Sequence, residues 1–268
     1  MPAPFLSPER NMPMFLKIEK LVMQFGGLTA VDSFSLELQP GELVGLIGPN
    51  GAGKTTVFNM VTGTYKPSAG KIHWLDQDIT GLPVHQITAK GLARTFQNVR
   101  LFAEMTVLEN VMVSMHITLQ ASFWKAMLGL PHYRKEERRI RDEALEYLRE
   151  LGLAHLADEK ASSLAYGQQR RLEIARALAT KPRLLLLDEP AAGMNPLETK
   201  DLAQLVREIR DKYGLTVLLI EHDMKFVMGL CERIKVLDHG ITIAEGTPSE
   251  IQSNPHVIKA YLGEPKHA

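Results

Sequence analysis

The apolar positions along this chain change period several times, and the changes predict alternating strands and helices. Glu42 to Ile47, Arg183 to Leu187, Leu215 to Ile220 and Arg233 to Leu237 are short, nearly continuous apolar runs, as in strands buried on both faces of a parallel sheet. Ser33 to Leu38 instead alternates Phe34, Leu36 and Leu38 with polar residues, which predicts a half-exposed antiparallel strand in an N-terminal β layer. Helices are expected over Lys54 to Val61 and from about Leu197 to Lys212. From Thr106 to Thr180 there is no strand pattern, while Ile140, Ala144, Leu148 and Leu151 recur at helical spacing in a charged stretch. The expected architecture is therefore α/β, with a helical subdomain inserted into the core. There is no internal repeat and no low-complexity segment.

Composition narrows the partners. The 268 residues suffice for a full core, and Lys plus Arg and Asp plus Glu each total 31, so no net field draws the chain to nucleic acid. Cys231 is the single cysteine, which excludes an internal disulfide framework and a multi-cysteine zinc site and fits a reducing compartment. Met1 to Arg10 lacks the basic-then-apolar pattern of a secretory leader. The runs Leu184 to Leu187 and Val217 to Ile220 are far too short to span a bilayer, so any membrane association is expected through a partner or the surface.

Chemistry enters at Gly48-Pro49-Asn50-Gly51-Ala52-Gly53-Lys54-Thr55-Thr56, which fits the phosphate-loop spacing between a strand and a helix. Its glycines let backbone N–H groups turn toward phosphates, Lys54 reaches the β and γ phosphates, and the Thr55 hydroxyl is placed to bind magnesium. The apolar run Leu184 to Leu187 then ends in Asp188 and Glu189. Asp188 can hold the hydration shell of the magnesium, and Glu189 can orient or deprotonate the attacking water. Alone, such a pair would be a solvated strand end; with the phosphate loop upstream, the catalytic reading is favoured.

Leu164-Ala165-Tyr166-Gly167-Gln168-Gln169-Arg170-Arg171 resembles the signature segment of ATP-binding cassette (ABC) ATPases, whose usual form has serine and glycine where this chain has Ala165 and Tyr166. The resemblance runs from about Leu16 to Gly263. It implies that the helix opening at Ala165, Tyr166, Gly167 and Gln168 faces the ATP held by a second ATP-binding subunit, where exposed N–H groups attract anions. It also makes Gln97 the loop glutamine that senses magnesium and contacts the membrane partner, His222 the switch histidine at the γ-phosphate, and Phe25 the ring that stacks on adenine. Each has a plainer reading: a surface amide, a hydrogen-bonded structural histidine, a core aromatic. Ala191 to Asn195 resembles the loop that crosses the dimer, with Asn195 in place of the usual aspartate.

Five strings resemble most closely the ATP-binding subunits of bacterial branched-chain amino acid importers: Phe25 to Val31, Arg94 to Phe102, the Ala-Tyr-Gly-Gln signature, Ala191 to Pro196, and Ile220 to Lys225. The stretch His116 to Arg141, with Phe123-Trp124-Lys125, resembles the longer helical insertion of one of the two ATPase subunits in such importers, and its basic run Arg134 to Arg141 reads as a solvated helix face. The resemblance implies one cassette over residues 14–263, with a core at 14–97 and 181–263 and a helical subdomain at 98–180. The core is expected to be RecA-like. ATP and Mg2+ are the expected cofactors, and the expected place is the cytoplasmic face of the inner membrane. Expected partners are a second ATP-binding subunit, transmembrane permease subunits and, indirectly, a periplasmic or extracellular solute-binding protein. The subunit of another ABC transporter, for urea import or lipopolysaccharide export, would share nearly every motif. A soluble ABC ATPase of translation or DNA maintenance ranks lower, since the chain has one phosphate loop, no sustained heptads and no basic excess.

Overall fold

A computed structural model of the chain describes residues 15–97, 99–115 and 131–262. The insertion string at 116–130 and residue 98 lie outside the described residues, as does the first residue of the expected cassette, Met14.

The buried runs form a six-stranded sheet. β3 (Leu43–Ile47) pairs in parallel with β8 (Thr216–Ile220) and β9 (Arg233–Asp238), β7 (Leu184–Asp188) with β8, and β6 (Leu92–Arg94) with β7. β10 (Ile241–Gly246) closes one edge antiparallel to β9, giving the order β10-β9-β3-β8-β7-β6. Every residue of β3, β7 and β8 is buried, the burial expected of parallel strands covered on both faces.

A second, antiparallel sheet has the order β2-β1-β4-β5, from β1 (Leu16–Phe25), β2 (Leu28–Leu38), β4 (Ala69–Trp74) and β5 (Gln77–Asp78). Its inner face, with Leu16, Ile18, Leu21, Phe34, Leu36 and Trp74, packs on one face of the parallel sheet through Val44, Leu46, Leu186, Leu218 and Ile220. β2 shows the alternation expected of Ser33 to Leu38. The pattern of β1 slips by one position: Ile18 and Leu21 are both buried because the pairing shifts between them and Lys20 takes φ +47.

The opposite face of the parallel sheet is covered by helices. α3 (Val107–Met115), α4 (Pro131–Glu150) and α5 (Tyr166–Leu178) pack on one another; Ile140, Ala144 and Leu148 lie on the buried stripe of α4, and Leu151, just past its end, is buried with them. Arg138, Arg139 and Arg141 are exposed on that helix, as expected of a solvated face. α6 (Pro196–Tyr213) and α7 (Met224–Leu230) connect the later strands on this face, while α1 (Lys54–Val61) and α2 (Val84–Ala89), which follow β3 and β5, pack into the core shared with the antiparallel sheet. α8 (Pro248–Ser253) and α9 (Pro255–Leu262) end the described chain. No described helix is long and apolar enough to cross a membrane.

Candidate nucleotide-binding site

The ends of β3, β7 and β8 lie side by side, so the segments leaving them meet at one edge of the sheet, where open α/β sheets bind ligands. From β3 comes the phosphate loop. Gly48 has φ +152, and a Cβ there would stand 2.0 Å from Leu237 O; Gly53 has φ +102, and its Cβ would stand 2.6 Å from Ala30 O. Only glycine fits both positions, so the loop geometry is fixed by close backbone approach. α1 then begins without a side-chain cap and without an acidic residue in its first turn. By contrast, α6, α7 and α8 are capped by Asn195, Asp223 and Thr247. The first turn of α1 thus keeps N–H groups for an anion.

Lys54 is buried and donates from Nζ to Gly48 O at 2.7 Å and Pro49 O at 2.9 Å. Burial holds its ammonium below the usual lysine range, and the Glu189 and Asp188 carboxylates oppose that shift. Thr55 is exposed and Thr56 half-buried at the same helix start. Phe25, at the end of β1, is 43% exposed and meets Tyr65 edge-on at 5.4 Å between ring centroids. Its ring is available for stacking rather than sunk in the core.

From β7 come Asp188 and Glu189. Asp188 is buried, with Oδ2 accepting from Arg94 Nη2 at 2.7 Å and Oδ1 left with no partner. Arg94 also donates to Asn59 Oδ1 at 2.7 Å, tying the acidic strand to the helix behind the phosphate loop. Glu189 sits at φ +47, a strained conformation for a residue with a Cβ, and its N–H donates to Ile220 O at 2.9 Å. The strain turns its carboxylate toward two other segments. Gln97 Nε2 donates to Glu189 Oε2 at 2.9 Å, and His222 Nδ1 lies 3.8 Å from the same oxygen.

The structure therefore brings Gln97, Glu189 and His222 together, with Lys54 near enough to feel the charges of Glu189 and Asp188. Ala165, Tyr166, Gly167 and Gln168 lie at the start of α5 and are linked to the Gln97 loop through Arg170. Ala165 gives that helix no side-chain acceptor; Gln168 Oε1 instead accepts from Ala165 N at 3.0 Å. The residues present also suit a magnesium ion. Among the described residues no cluster of three ligating side chains exists, but magnesium bound with phosphates asks for few protein ligands, and Asp188 Oδ1 is a buried carboxylate oxygen without a partner.

Three supporting side chains carry no motif of their own in the sequence: Arg94, Arg170 and Glu221. Arg94 and Arg170 find their partners at Asp188 and at the Phe96 carbonyl, far away along the chain. Glu221, fully buried, accepts from Ala191 N at 2.8 Å and His222 N at 3.0 Å, holding the loop after β7 to the histidine. Burial pushes the Glu221 carboxyl above the usual range, against those backbone donors. Its place directly before His222 was the available signal.

The Arg94–Asp188 pair has side-chain exposures of 7% and 2%. Burial raises the Asp188 carboxyl above the usual aspartate range and Arg94 opposes the rise. A carboxyl raised in the folded state contributes stability below its unfolded pKa and loses it as pH rises through the folded one. Arg94→Met should raise it further. Breaking the buried pair is expected to cost about 3–5 kcal/mol, with a larger loss at about pH 8 than at about pH 5. Thermal melts at the two pH values check this, and equal losses would show that Asp188 is not the group responding.

This nucleotide-binding arrangement, on a parallel sheet packed between an antiparallel sheet and a layer of helices, defines a class that the comparisons with known proteins identify. Residues 31–192 match the ABC transporter family and residues 242–267 the branched-chain amino acid ATP-binding cassette transporter family. The chain belongs to the ABC transporter family and is an ATP-hydrolysing subunit. It is 53% identical over 249 residues to the high-affinity branched-chain amino acid transport ATP-binding protein LivG of Escherichia coli K12, covering 93% of this chain and 98% of LivG. It is 51% identical to BraF of Pseudomonas aeruginosa, a protein of the same description, with the same coverage of both chains. The lipopolysaccharide export ATP-binding protein LptB of E. coli K12 is 39% identical, over 93% of this chain and 97% of LptB. Among solved structures, the ADP conformation of the cassette MJ1267 matches with a TM-score of 0.81 at 35% identity, over 94% of this chain and 99% of that one. The dimeric post-hydrolysis cassette MJ0796, bound to ADP and Pi, matches with a TM-score of 0.74 at 26% identity, over 87% and 99%.

Proposed function

We propose that this chain energises the uptake of branched-chain amino acids, as one of two ATP-binding subunits docked on permease subunits at the cytoplasmic face of the inner membrane. Residues 14–97 and 181–263 are taken as the nucleotide-binding core and 98–180 as the helical subdomain. The observation that carries the cargo is the 53% identity to LivG across nearly the whole chain, against 39% to LptB. Among the described residues, those of the site are assigned to ATP, magnesium or a partner subunit, and selection of the solute is assigned to the binding protein and the permease.

In this reading, the phosphate-loop amides and Lys54 bind the phosphates, Phe25 stacks on the base, and the Lys54 ammonium leaves the carbonyls of Gly48 and Pro49 for phosphate oxygen. Magnesium, when bound, neutralises phosphate charge, and Thr55, Asp188 and Gln97 are the residues that would hold it. Glu189 accepts the proton of the attacking water, and His222 beside it completes the polar wall at the γ-phosphate. Ala165 to Gln168 serve the nucleotide of the opposing subunit.

Coupling to the permease is assigned to the segment from Gln97 to Phe102. Beside it runs a groove of about 570 Å³ lined by Phe96, Arg100, Leu101, Phe102 and Arg176. Arg100 lies over the Phe96 ring at 4.4 Å and Arg176 over the Phe102 ring at 4.9 Å, an arrangement that supports a wall for a docked helix. Gln97→Ala is expected to depress transport more than basal ATP hydrolysis, measured side by side in proteoliposomes. Equal losses would confine Gln97 to catalysis.

A further inference from the structure

Arg170, on the second turn of α5, is only 2% exposed, and its donors are shared between its own helix and the loop at Phe96 and Gln97. Nη1 donates to Phe96 O at 2.6 Å and to Glu173 Oε2 at 3.2 Å, and Nη2 donates to Gln97 O. Nε and Nη2 both donate to the Tyr166 hydroxyl, at 3.1 Å and 2.8 Å. Glu173 returns the connection by accepting from Phe96 N at 3.0 Å. The backbone at Phe96 and Gln97 is thereby fastened to α5 through one guanidinium, and that guanidinium is held by a phenol at the first residue of the helix.

The ring of Tyr166 has a second neighbour. Gly193, in the loop after β7, has φ +77, and a Cβ there would lie 3.3 Å from Tyr166 Cε1. The loop following Glu189, the helix start at Ala165 and the loop carrying Gln97 therefore converge on one tyrosine. Its hydroxyl is engaged inward by Arg170, although the ring is 43% exposed.

We propose that Tyr166 is a positioning residue whose hydroxyl holds Arg170 against the Phe96 and Gln97 carbonyls, so that the start of α5 and the Gln97 loop move as one body. The proposal rests on the ATPase reading and extends it. Any displacement of the α5 N-terminus by a nucleotide on the opposing subunit is carried through Tyr166 and Arg170 to Gln97, whose amide sits on the Glu189 carboxylate. Without the hydroxyl, Arg170 keeps its charge, its two carbonyl acceptors and the Glu173 carboxylate but loses the acceptor for Nε in a buried setting, so its hold on the loop is weakened.

Two readouts on the full chain test this, with Tyr166→Phe, which keeps the ring, and Arg170→Lys, which keeps the charge. The first is hydrogen exchange without nucleotide. Both variants are expected to speed exchange at the Phe96 amide about tenfold, the effect of losing one charge-assisted hydrogen bond, while amides of β3 and β7 are unchanged. The second is steady-state hydrolysis: Tyr166→Phe should lower kcat and leave KM nearly unchanged, and the double variant should be no slower than Arg170→Lys alone. Unchanged exchange at Phe96 in Tyr166→Phe, or losses that multiply in the double variant, would overturn the proposal. Hydrolysis by the unmodified chain tests the ATPase reading separately, and the exchange comparison stands whatever that result.

Discussion

Replacing Lys54 with alanine is expected to lower ATP hydrolysis by about two to three orders of magnitude, the range seen when one preorganised charge-stabilising donor is removed from an active site. The ammonium is buried and poised on two loop carbonyls, Gly48 O and Pro49 O, so the folded chain already holds it within the phosphate loop. No other lysine or arginine comes from the phosphate loop or the first turn of α1, and Arg94, which reaches α1 from β6, is held by Asn59 and Asp188. The fold should survive, because alanine relieves the burial of a charge and the loop shape is set by Gly48 and Gly53. Nucleotide binding should weaken as well; titration with a fluorescent nucleotide and a phosphate-release assay measure the two losses, and wild-type turnover would remove the phosphate loop from the mechanism.

The second large effect is expected at Glu189. Glu189→Gln keeps the shape and removes the basic oxygen, which should reduce turnover by about two to four orders of magnitude while nucleotide binding is retained. Gln97 and His222 both approach Oε2 of this carboxylate, whose backbone sits at a strained φ of +47, while Glu221, also near His222, is buried and accepts from the backbone at Ala191 and His222. Asp188 is buried, with Oδ2 held by Arg94 and Oδ1 assigned to magnesium. ATP-bound dimers should therefore accumulate, and light scattering with MgATP should show a larger species than wild type does. No gain in dimer would mean that Glu189 does not limit the hydrolytic step.

The parts of the site that could be read from sequence are those whose chemistry is contiguous. Gly48 to Thr56 carry the phosphate loop within nine adjacent positions, and Asp188 and Glu189 follow directly on an apolar strand. The fully buried strands were equally visible, because β3, β7 and β8 have no exposed residue to interrupt them. β1 was not delimited: the bulge at Lys20 resets its alternation, so no single period spans it. The supporting bonds were hidden by sequence distance. Arg94 and Asp188 are 94 residues apart, and Arg170 lies 74 from Phe96 and 73 from Gln97, separations over which one sequence carries no register. The roles of Gln97 and His222 came from resemblance; the structure adds that both reach the same carboxylate oxygen region.

The central claim is that hydrolysis by this chain drives branched-chain amino acid uptake. It is tested most directly by radiolabelled leucine uptake in cells of the source organism lacking the chain and re-supplied with either the unmodified protein or Glu189→Gln. Uptake should return with the unmodified chain and stay at the deletion level with the variant at equal expression. Leucine, isoleucine and valine uptake unaffected by the deletion, or fully restored by Glu189→Gln, would contradict it.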